Sequence, residues 1–400
     1  MKILSFFIPG DYEDVYLYMD HLLLLERDGQ LVLVPLGGIV DQVSEVSDDL
    51  ASVAQGLLRR NDIFTTTRES SVSLAALSGL SRLPSSTIEI RPKNLELVDT
   101  AIIGPPGRLL ALAVYYRRAY FGTTKGVFDV DLDFDDLRSN HGRGVRPRID
   151  GRCVALSARL GAISVSLGKQ GLYSSFGEFG SESASSEELE FVTQPSARTG
   201  WLGDDLINYG SRVELSLFRS ALEEVHRPSI EEVEDEFGGR PTTKRLVGFS
   251  EDGISDRDLA SSAGDRFQVS YEDIQFVWNS RRYFFIRTYA GSIFSLRPRQ
   301  HGRTVEDFAV SPRPRLESRV VSAHVTANGL VLETDDRVVL YSERAFHTLY
   351  EGEVATIKSF PRSVRYRHIV AATVDDGVLI QCALDESRFR LIADWRNLLY

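Results

Sequence analysis

Short apolar runs, each followed by a tight-turn signal and a second apolar run, recur along this 400-residue chain. The clearest example is Ala323–Glu343, AHVTANGLVLETDDRVVLYSE, where turns at Asn328-Gly329 and Asp335-Asp336 separate three apolar runs. Gly, Asn and Asp tolerate the positive φ angles of tight hairpin turns, and β-branched and aromatic residues favour strands. The pattern predicts successive β-hairpins.

The hairpin pattern repeats at a regular distance. Six clear units and one weaker unit begin at Tyr18, Arg108, Arg152, Leu206 (the weaker one), Phe276, Ala323 and Arg367. Several neighbouring units start roughly 45 residues apart, a period typical of four-stranded propeller blades. An all-β chain with such hairpins either closes on itself or leaves strand edges that invite aggregation.

The spacing therefore predicts an all-β fold, an irregular β-propeller of six to seven blades with small helical insertions, as one domain over residues 1–400. The alternative is a β-sandwich followed by a second β-rich domain. In a propeller, the amino-terminal run KILSFF would pair into the last blade beside the LIADW run at 391–395 and close the ring.

Several hairpins share a G-[VLI]-[YFV] type of ending, in which the apolar pair follows the glycine directly in KGVFDV and QGLYSS and one residue later in DGQLVLV and AGSIFSL. These endings and the spacing resemble a divergent bacterial β-propeller, without the GH…WD signature of WD40 blades or the double Gly of kelch repeats. The resemblance implies a non-catalytic scaffold or recognition subunit that binds a protein partner in a bacterial multi-protein assembly, including defence systems. With no export signal and no apolar run long enough for a bilayer, we expect a cytoplasmic protein with no membrane contact.

Two regions interrupt the β pattern. Residues 38–84 are predicted to form a helical insertion, with a second helix near 70–83. The first helix has apolar residues at steps of three and four: Ile39, Val43, Val46, Leu50, Val53 and Leu57. Two further short helices, separated by Pro228, are predicted within 220–237.

The net charge of −11 comes from one segment. Residues 178–239 contain 15 Asp and Glu against 4 Arg, and the rest of the chain is balanced. The Ser- and Glu-rich composition predicts that 178–240 is an acidic insertion, partly mobile. It is either a solvated surface or a docking surface for a basic partner.

Candidate chemistry is sparse. The seven His residues show no metal-ligand spacing, nucleotide-binding and nucleophile motifs are absent, and Cys153 and Cys382 lie in apolar runs as expected for reduced core thiols. We therefore predict no metal, no cofactor and no catalytic residue. FDVDLDFDDL from Phe128 predicts a strand with Asp129, Asp131, Asp133 and Asp135 on a solvent face. An enzyme with a site in the propeller channel stays open as an alternative, since loops distant in sequence can build such a site.

The strongest functional signal is an Arg-Pro loop type that recurs beside the predicted hairpins. Arg suits two-pronged contacts with carboxylate or phosphate, so loops on one face would bind an acidic protein surface or, alternatively, nucleic acid or another polyanion. Trp201, between Gly and Asp residues, is the aromatic residue expected to be exposed. The predicted binding residues are Arg146, Arg148, Arg297, Arg299, Arg313, Arg315, Arg362, Arg365 and Trp201.

Overall fold

The fold is described from a computed structural model. It describes residues 2–60, 86–92, 98–102, 104–159, 162–175, 189–211, 214–224, 244–280, 283–301, 304–313, 315–342, 345–361, 363 and 365–384. The described residues form seven sheets. Each sheet contains four antiparallel strands, and each of these strands is hydrogen-bonded to the next.

The first three blades come from the amino-terminal half of the chain. The first contains β2 (Tyr12–Tyr18), β3 (His21–Glu26), β4 (Leu31–Pro35) and β6 (Val98–Ile102). The second contains β7 (Leu109–Tyr115), β8 (Arg118–Thr123), β9 (Gly126–Asp131) and β10 (Arg146–Asp150). The third contains β11 (Ala155–Arg159), β12 (Ala162–Ser166), β13 (Leu172–Ser175) and β14 (Leu189–Thr193).

Three further blades follow with the same order. The fourth contains β15 (Arg198–Leu202), β16 (Asp205–Tyr209), β17 (Leu215–Glu224) and β18 (Lys244–Ser255). The fifth contains β19 (Ile274–Ser280), β20 (Tyr283–Thr288), β21 (Ile293–His301) and β22 (Thr304–Arg313). The sixth contains β23 (Val320–Val325), β24 (Leu330–Thr334), β25 (Arg337–Ser342) and β26 (Ala345–Glu351).

The seventh blade joins the two halves of the chain. It contains β27 (Thr356–Ser359), β28 (Ile369–Val374), β29 (Gly377–Leu384), β1 (Lys2–Pro9) and β5 (Ser86–Glu89). The amino-terminal strand closes the ring as predicted, but its neighbours are β29, antiparallel, and β5, parallel. The prediction that KILSFF lies beside LIADW is therefore wrong for this strand, and residues 391–395 lie outside the described residues.

The first strand of each blade contacts the first strands of the two neighbouring blades, and β27 contacts β2, so the ring is complete. The protein is a seven-bladed β-propeller, which confirms the predicted fold class. Each predicted hairpin unit, including the weak one at Leu206, falls in a different blade.

The core lies between the blades. Every residue of β28 is buried, because one of its faces packs on the first blade and the other on the sixth. A strand that is buried on both faces has a continuous apolar sequence. For this reason the strands of these hairpins do not alternate strictly between apolar and polar residues. Cys153 and Cys382 are buried free thiols in this core, as predicted.

The predicted first helix is divided into two. α1 (Leu36–Val46) ends before Ser47, whose side chain accepts a hydrogen bond from the Leu50 backbone N–H and begins α2 (Asp48–Gln55). A π-helical turn, Gly56–Arg60, follows. Ile39, Val43, Val53 and Leu57 are buried as predicted. Val46 is 67% exposed because the chain changes direction there, so its place on the apolar face is a wrong prediction.

The other helices differ from the sequence prediction. α3 (Asp256–Phe267) is preceded by Ser255, which forms a reciprocal capping box with Asp258. Short 3₁₀ helices occupy Leu137–Asn140 and Tyr271–Asp273. Residues 220–224, predicted as helix, belong to β17 because they pair with β18. The rest of 220–237 and the predicted helix at 70–83 lie outside the described residues. Within the acidic segment 178–240, the structure describes residues 189–211 and 214–224, which contain β14 to β17.

Candidate functional site

Two of the predicted binding residues, Arg146 and Arg148, lie on the outer strand of the second blade and contact carboxylates of the same blade. Arg148 Nε is 2.5 Å from Asp129 Oδ2, and Arg146 is 3.1 Å from Asp129 and 2.6 Å from Asp131. Arg118 contacts the same two carboxylates. The predicted solvent face is wrong for Asp129, whose side chain is fully buried under these guanidinium groups.

The predicted Arg residues are divided between the two ends of the ring. In a four-stranded antiparallel blade, the connection between strands one and two and the connection between strands three and four lie at one end of the ring, which we call the first end. The connection between strands two and three and the connection from strand four to the next blade lie at the other end, which we call the second end. Arg146, Arg297, Arg299 and Arg365 lie toward the first end. Arg313 and Arg315 lie at the second end. Arg362 lies outside the described residues, and Arg365 pairs with Asp20 at 2.8 Å.

Trp201 is a further correction. Its side chain is only 4% exposed, packs near Phe249 and lines the central channel. Gly203 and Asp204 form the turn after β15, but Trp201 precedes this turn within the strand, and its side chain packs between the third and fourth blades. Turn composition predicted the loop correctly and the side chain's exposure wrongly.

The second end of blades five and six has an exposed surface of arginine and aromatic side chains. Tyr289, in the turn between β20 and β21, is 70% exposed, and Val321 at the start of β23 is 45% exposed. Between them run Arg313, Arg315 and Arg319, all exposed. We call these five residues the Arg-Tyr surface.

The connection between β22 and β23, which carries Arg315 and Arg319 of the Arg-Tyr surface, is held in place by a buried arginine. Arg287 is 2% exposed, and its Nη2 donates to the carbonyl oxygens of Leu316 (3.1 Å) and Ser318 (2.8 Å). Burial lowers the pKa of the Arg287 guanidinium from its usual range. The Leu316 backbone N–H also donates to the Gly291 carbonyl at 3.0 Å, which joins the connection to the Tyr289 turn.

Gly291 is needed for this close approach. Its φ is +84°, and a Cβ there would collide with the Leu316 carbonyl oxygen. The same Cβ would lie 3.4 Å from Arg315 Cγ, so the Arg315 side chain runs alongside the turn that carries Tyr289. The connection and the turn therefore form one rigid platform.

The central channel is a second candidate site. It contains a cavity of about 460 Å³ whose wall receives residues from the first strand of every blade. Aromatic residues Tyr16, Trp201, Trp278 and Phe360 form part of the wall, and polar side chains form the rest. An apolar or filled channel would have removed the basis for a site there, and this channel is neither.

Two cationic side chains line the channel. Lys358 Nζ lies 2.9 Å from Asp14 Oδ2 and donates to the Leu112 carbonyl at 3.1 Å, so it spans three blades. Arg198 donates through Nη2 to the Val277 carbonyl at 2.8 Å. Its guanidinium carbon lies 4.5 Å from the ring centroids of Tyr209 and of Phe276, in cation–π contact with both.

His324 faces the same channel. Burial, with the positive charges of Lys358 and Arg198, lowers the pKa of His324 to about 4, so its ring is neutral at pH 7. Its Nε2 lies 2.9 Å from Ser322 Oγ, and Ser322 donates to Glu333. Since the single Ser322 proton goes to Glu333, His324 Nε2 is the donor to Ser322, and Nδ1 is the unprotonated ring nitrogen.

A hydrogen-bonded chain fixes the opposite side of the channel. Tyr209 donates to Asn279 Oδ1 at 2.6 Å, and Asn279 Nδ2 donates to the Trp201 carbonyl at 2.8 Å. Burial raises the pKa of the Tyr209 hydroxyl, so it remains a donor. A Cβ on Gly200 would lie 2.8 Å from Asn279 Oδ1, so a side chain larger than hydrogen there would displace the amide.

Among the described residues, no group of three or more His, Cys, Asp or Glu side chains is arranged to hold a metal ion. The helices in the described part of the chain are too short or too polar to cross a bilayer.

No protein-family model matches the chain, and no curated protein matches it in sequence. Solved structures do resemble it. The β-propeller domain of Cps50 (Swd1) from Myceliophteria thermophila has a TM-score of 0.48 and 9% identity, over 94% of this chain and 97% of that one. YCF48 from Cyanidioschyzon merolae has a TM-score of 0.47 and 8% identity, over 94% and 98%. The WD40 β-propeller domain of Doa1 has a TM-score of 0.43 and 12% identity, over 95% of each chain.

Proposed function

We propose that this propeller is a non-catalytic recognition module that binds an acidic segment of a protein partner through the Arg-Tyr surface. Propellers commonly act as protein-interaction scaffolds, and we propose that the partner binds at this surface. The predicted setting, a cytoplasmic bacterial assembly such as a defence system, stays a prediction from sequence.

The observation that supports the proposal is the rigid presentation of exposed arginines. Ordering mobile side chains and loops on binding costs free energy, and a connection already held by Arg287 avoids part of that cost. Arginine and tyrosine are also the residues most enriched among those that dominate binding energy at protein interfaces. The Arg315 side chain lies alongside the turn that carries Tyr289.

Charge favours an acidic partner. The connection carries three exposed arginines, Arg313, Arg315 and Arg319, against one exposed carboxylate, Glu317, on a chain whose net charge is −11. Guanidinium groups bind carboxylates in two-pronged geometry, and a local positive field on an acidic protein steers an acidic partner to this surface. The division of the Arg-Pro loops between the two ends removes the single broad Arg face that a long polyanion would need.

The test is a co-purification from the native host at low and moderate salt, with and without nuclease, using the wild-type protein and two charge-matched variants. The surface variant is Arg315→Glu/Arg319→Glu. The control is Arg138→Glu/Arg297→Glu, which changes two exposed arginines outside the Arg-Tyr surface by the same charge. We expect a protein retained by the wild type and the control and lost from the surface variant, with its affinity then measured directly.

Three outcomes contradict the proposal. A protein retained equally by both variants places the interface elsewhere, and an empty column under low salt removes the recognition role. Material lost on nuclease treatment, with affinity that falls steeply as salt rises, identifies a nucleic-acid ligand instead.

A further inference from the structure

The central channel has the size and lining of a small-molecule site. Ligand pockets of about 300–1,000 Å³, mostly apolar with a few placed polar groups, are typical of proteins that bind small organic molecules. The cavity of about 460 Å³ falls in this range. Its wall combines aromatic rings with Arg198, Lys358 and His324, which come from blades four, seven and six.

Two cationic side chains, Lys358 and Arg198, make the channel attractive to negative charge. Burial, together with the positive charges of Lys358 and Arg198, lowers the pKa of His324, so its ring stays neutral and the two cations carry the positive charge of the channel wall. Lys358 is held by Asp14 and Leu112, and Arg198 by Val277 and two aromatic rings, so neither side chain has to be ordered when a ligand enters. Fixed cations in a partly closed cavity bind an anion more strongly than mobile ones on a surface.

The aromatic wall indicates what the rest of the ligand is. Tyr16, Trp201, Trp278 and Phe360 all line the cavity, and Tyr16 is the least buried of the four. An apolar or aromatic part of a ligand would therefore lie against this section of the wall.

We infer that the central channel binds a small organic anion, with its carboxylate or phosphate against Arg198 and Lys358 and an apolar or aromatic body against the aromatic section of the wall that contains Tyr16. The site is separate from the Arg-Tyr surface, which lies at one end of blades five and six. It makes the propeller a ligand-binding protein in addition to a recognition module.

Intrinsic fluorescence tests this inference directly, because two of the chain's three tryptophans line the cavity. The probes are phenylacetate and phenyl phosphate, which join an anion to an aromatic ring, and 2-phenylethanol, the uncharged analogue. We expect both anions to change the tryptophan emission saturably, with 2-phenylethanol weaker by about tenfold or more, the factor that one lost charged hydrogen bond contributes.

Arg198→Gln is expected to lower the affinity for both anions by about tenfold or more. The matched control is Arg152→Gln, at an exposed site outside the channel. If Arg198→Gln does not fold, the double variant Asp14→Asn/Lys358→Gln is used. It removes the second cation together with its buried partner and is expected to lower the affinity for both anions. Equal affinity for the anions and 2-phenylethanol, unchanged affinity in the folded variants, or no saturable change with either anion would each overturn the inference.

Discussion

Lys358 and Asp14 join the last blade to the first. The Lys358 Nζ lies 2.9 Å from Asp14 Oδ2, and the Asp14 side chain is only 2% exposed. Asp14 Oδ1 also accepts hydrogen bonds from the Val15 backbone N–H at 2.8 Å and the Thr356 hydroxyl at 3.0 Å. The pair therefore spans the joint between the inner strands where the ring closes, a second connection in addition to the β1 and β29 pairing.

Replacing Lys358 with Met leaves the Asp14 carboxylate buried without its cation. Breaking one side of a buried ion pair costs about 3–5 kcal/mol, so we expect a loss of this order in the free energy of unfolding, measured in urea. Asp14→Asn/Lys358→Met, which removes both charges, should recover most of the loss. If the single and double variants are equally stable, the pair does not hold the joint.

The buried Asp129 carries a similar prediction for the second blade. Asp129→Asn keeps the shape of the side chain and leaves Arg118, Arg146 and Arg148 without their shared carboxylate, so we expect a loss of about 3–5 kcal/mol in the free energy of unfolding. Asp131→Asn is the matched control. Asp131 is 49% exposed, and exposed ion pairs contribute about 0–1 kcal/mol. Equal losses in the two variants would show that burial does not set the cost.

The repeat in the sequence predicted the scaffold because it depends on local features. Turn residues and strand-length apolar runs are visible in any single unit, and all seven hairpins, even the weak one at Leu206, belong to separate blades. The capping box at Ser255 and Asp258, which begins α3, is equally local and could have been found. Ring closure also followed, since a propeller with an unpaired first strand has an open edge.

The candidate sites depend on contacts between distant parts of the chain, and these were not predictable from spacing. Asp129 alternates like a solvent-facing residue, and it is buried because arginines from β8 and β10 cover it. Trp201 has a loop-like neighbourhood, and it is buried because it lies in an inner strand and packs between two blades. The Arg-Pro loops are alike in composition, but whether a loop follows the third or the fourth strand decides which end it occupies.

Acid should destabilise the protein through His368. Burial, with the Arg367 charge, lowers its pKa to about 3, and the ring is 1% exposed. The unfolded chain binds this proton below about pH 6.5 and the folded chain does not, so stability is full above pH 6.5 and falls as the pH is lowered toward 3. Between pH 7 and pH 5 the loss from this one residue is about 2 kcal/mol.

Urea unfolding of wild type and His368→Gln at pH 7 and pH 5 measures this effect. Glutamine retains a donor for the Leu57 carbonyl, which His368 Nε2 contacts at 3.2 Å. The variant should lose less stability on acidification than the wild type, and His141→Gln, at an exposed position, should behave as the wild type does. An unchanged pH dependence in His368→Gln would exclude this residue as a source.

Gly200→Ala tests how tightly the channel wall is built. The new Cβ would lie 2.8 Å from Asn279 Oδ1, and the amide cannot move without breaking its bonds to Tyr209 and the Trp201 carbonyl. Overpacking at a fixed position costs about 1–3 kcal/mol, and we expect that loss of stability together with a shifted tryptophan emission. Gly248→Ala is the control, because a Cβ there meets no atom within 4 Å. Wild-type stability and emission in Gly200→Ala would mean that the chain of hydrogen bonds is not rigid.

Arg287→Lys separates the rigidity of the Arg-Tyr surface from its charge. Lysine keeps a cation at the position, but its side chain is shorter than that of arginine and does not bring a nitrogen to the place of Nη2, which donates to both the Leu316 and the Ser318 carbonyl. The loss of these buried hydrogen bonds should cost about 1–3 kcal/mol. Amide hydrogen exchange should increase in 315–319 while the exposed arginines remain in place. Since a loosened connection must be ordered again on binding, the affinity for the captured partner should fall although no exposed residue has changed. Faster amide hydrogen exchange with unchanged affinity would show that binding depends on the charge of the surface alone and not on its preformed shape.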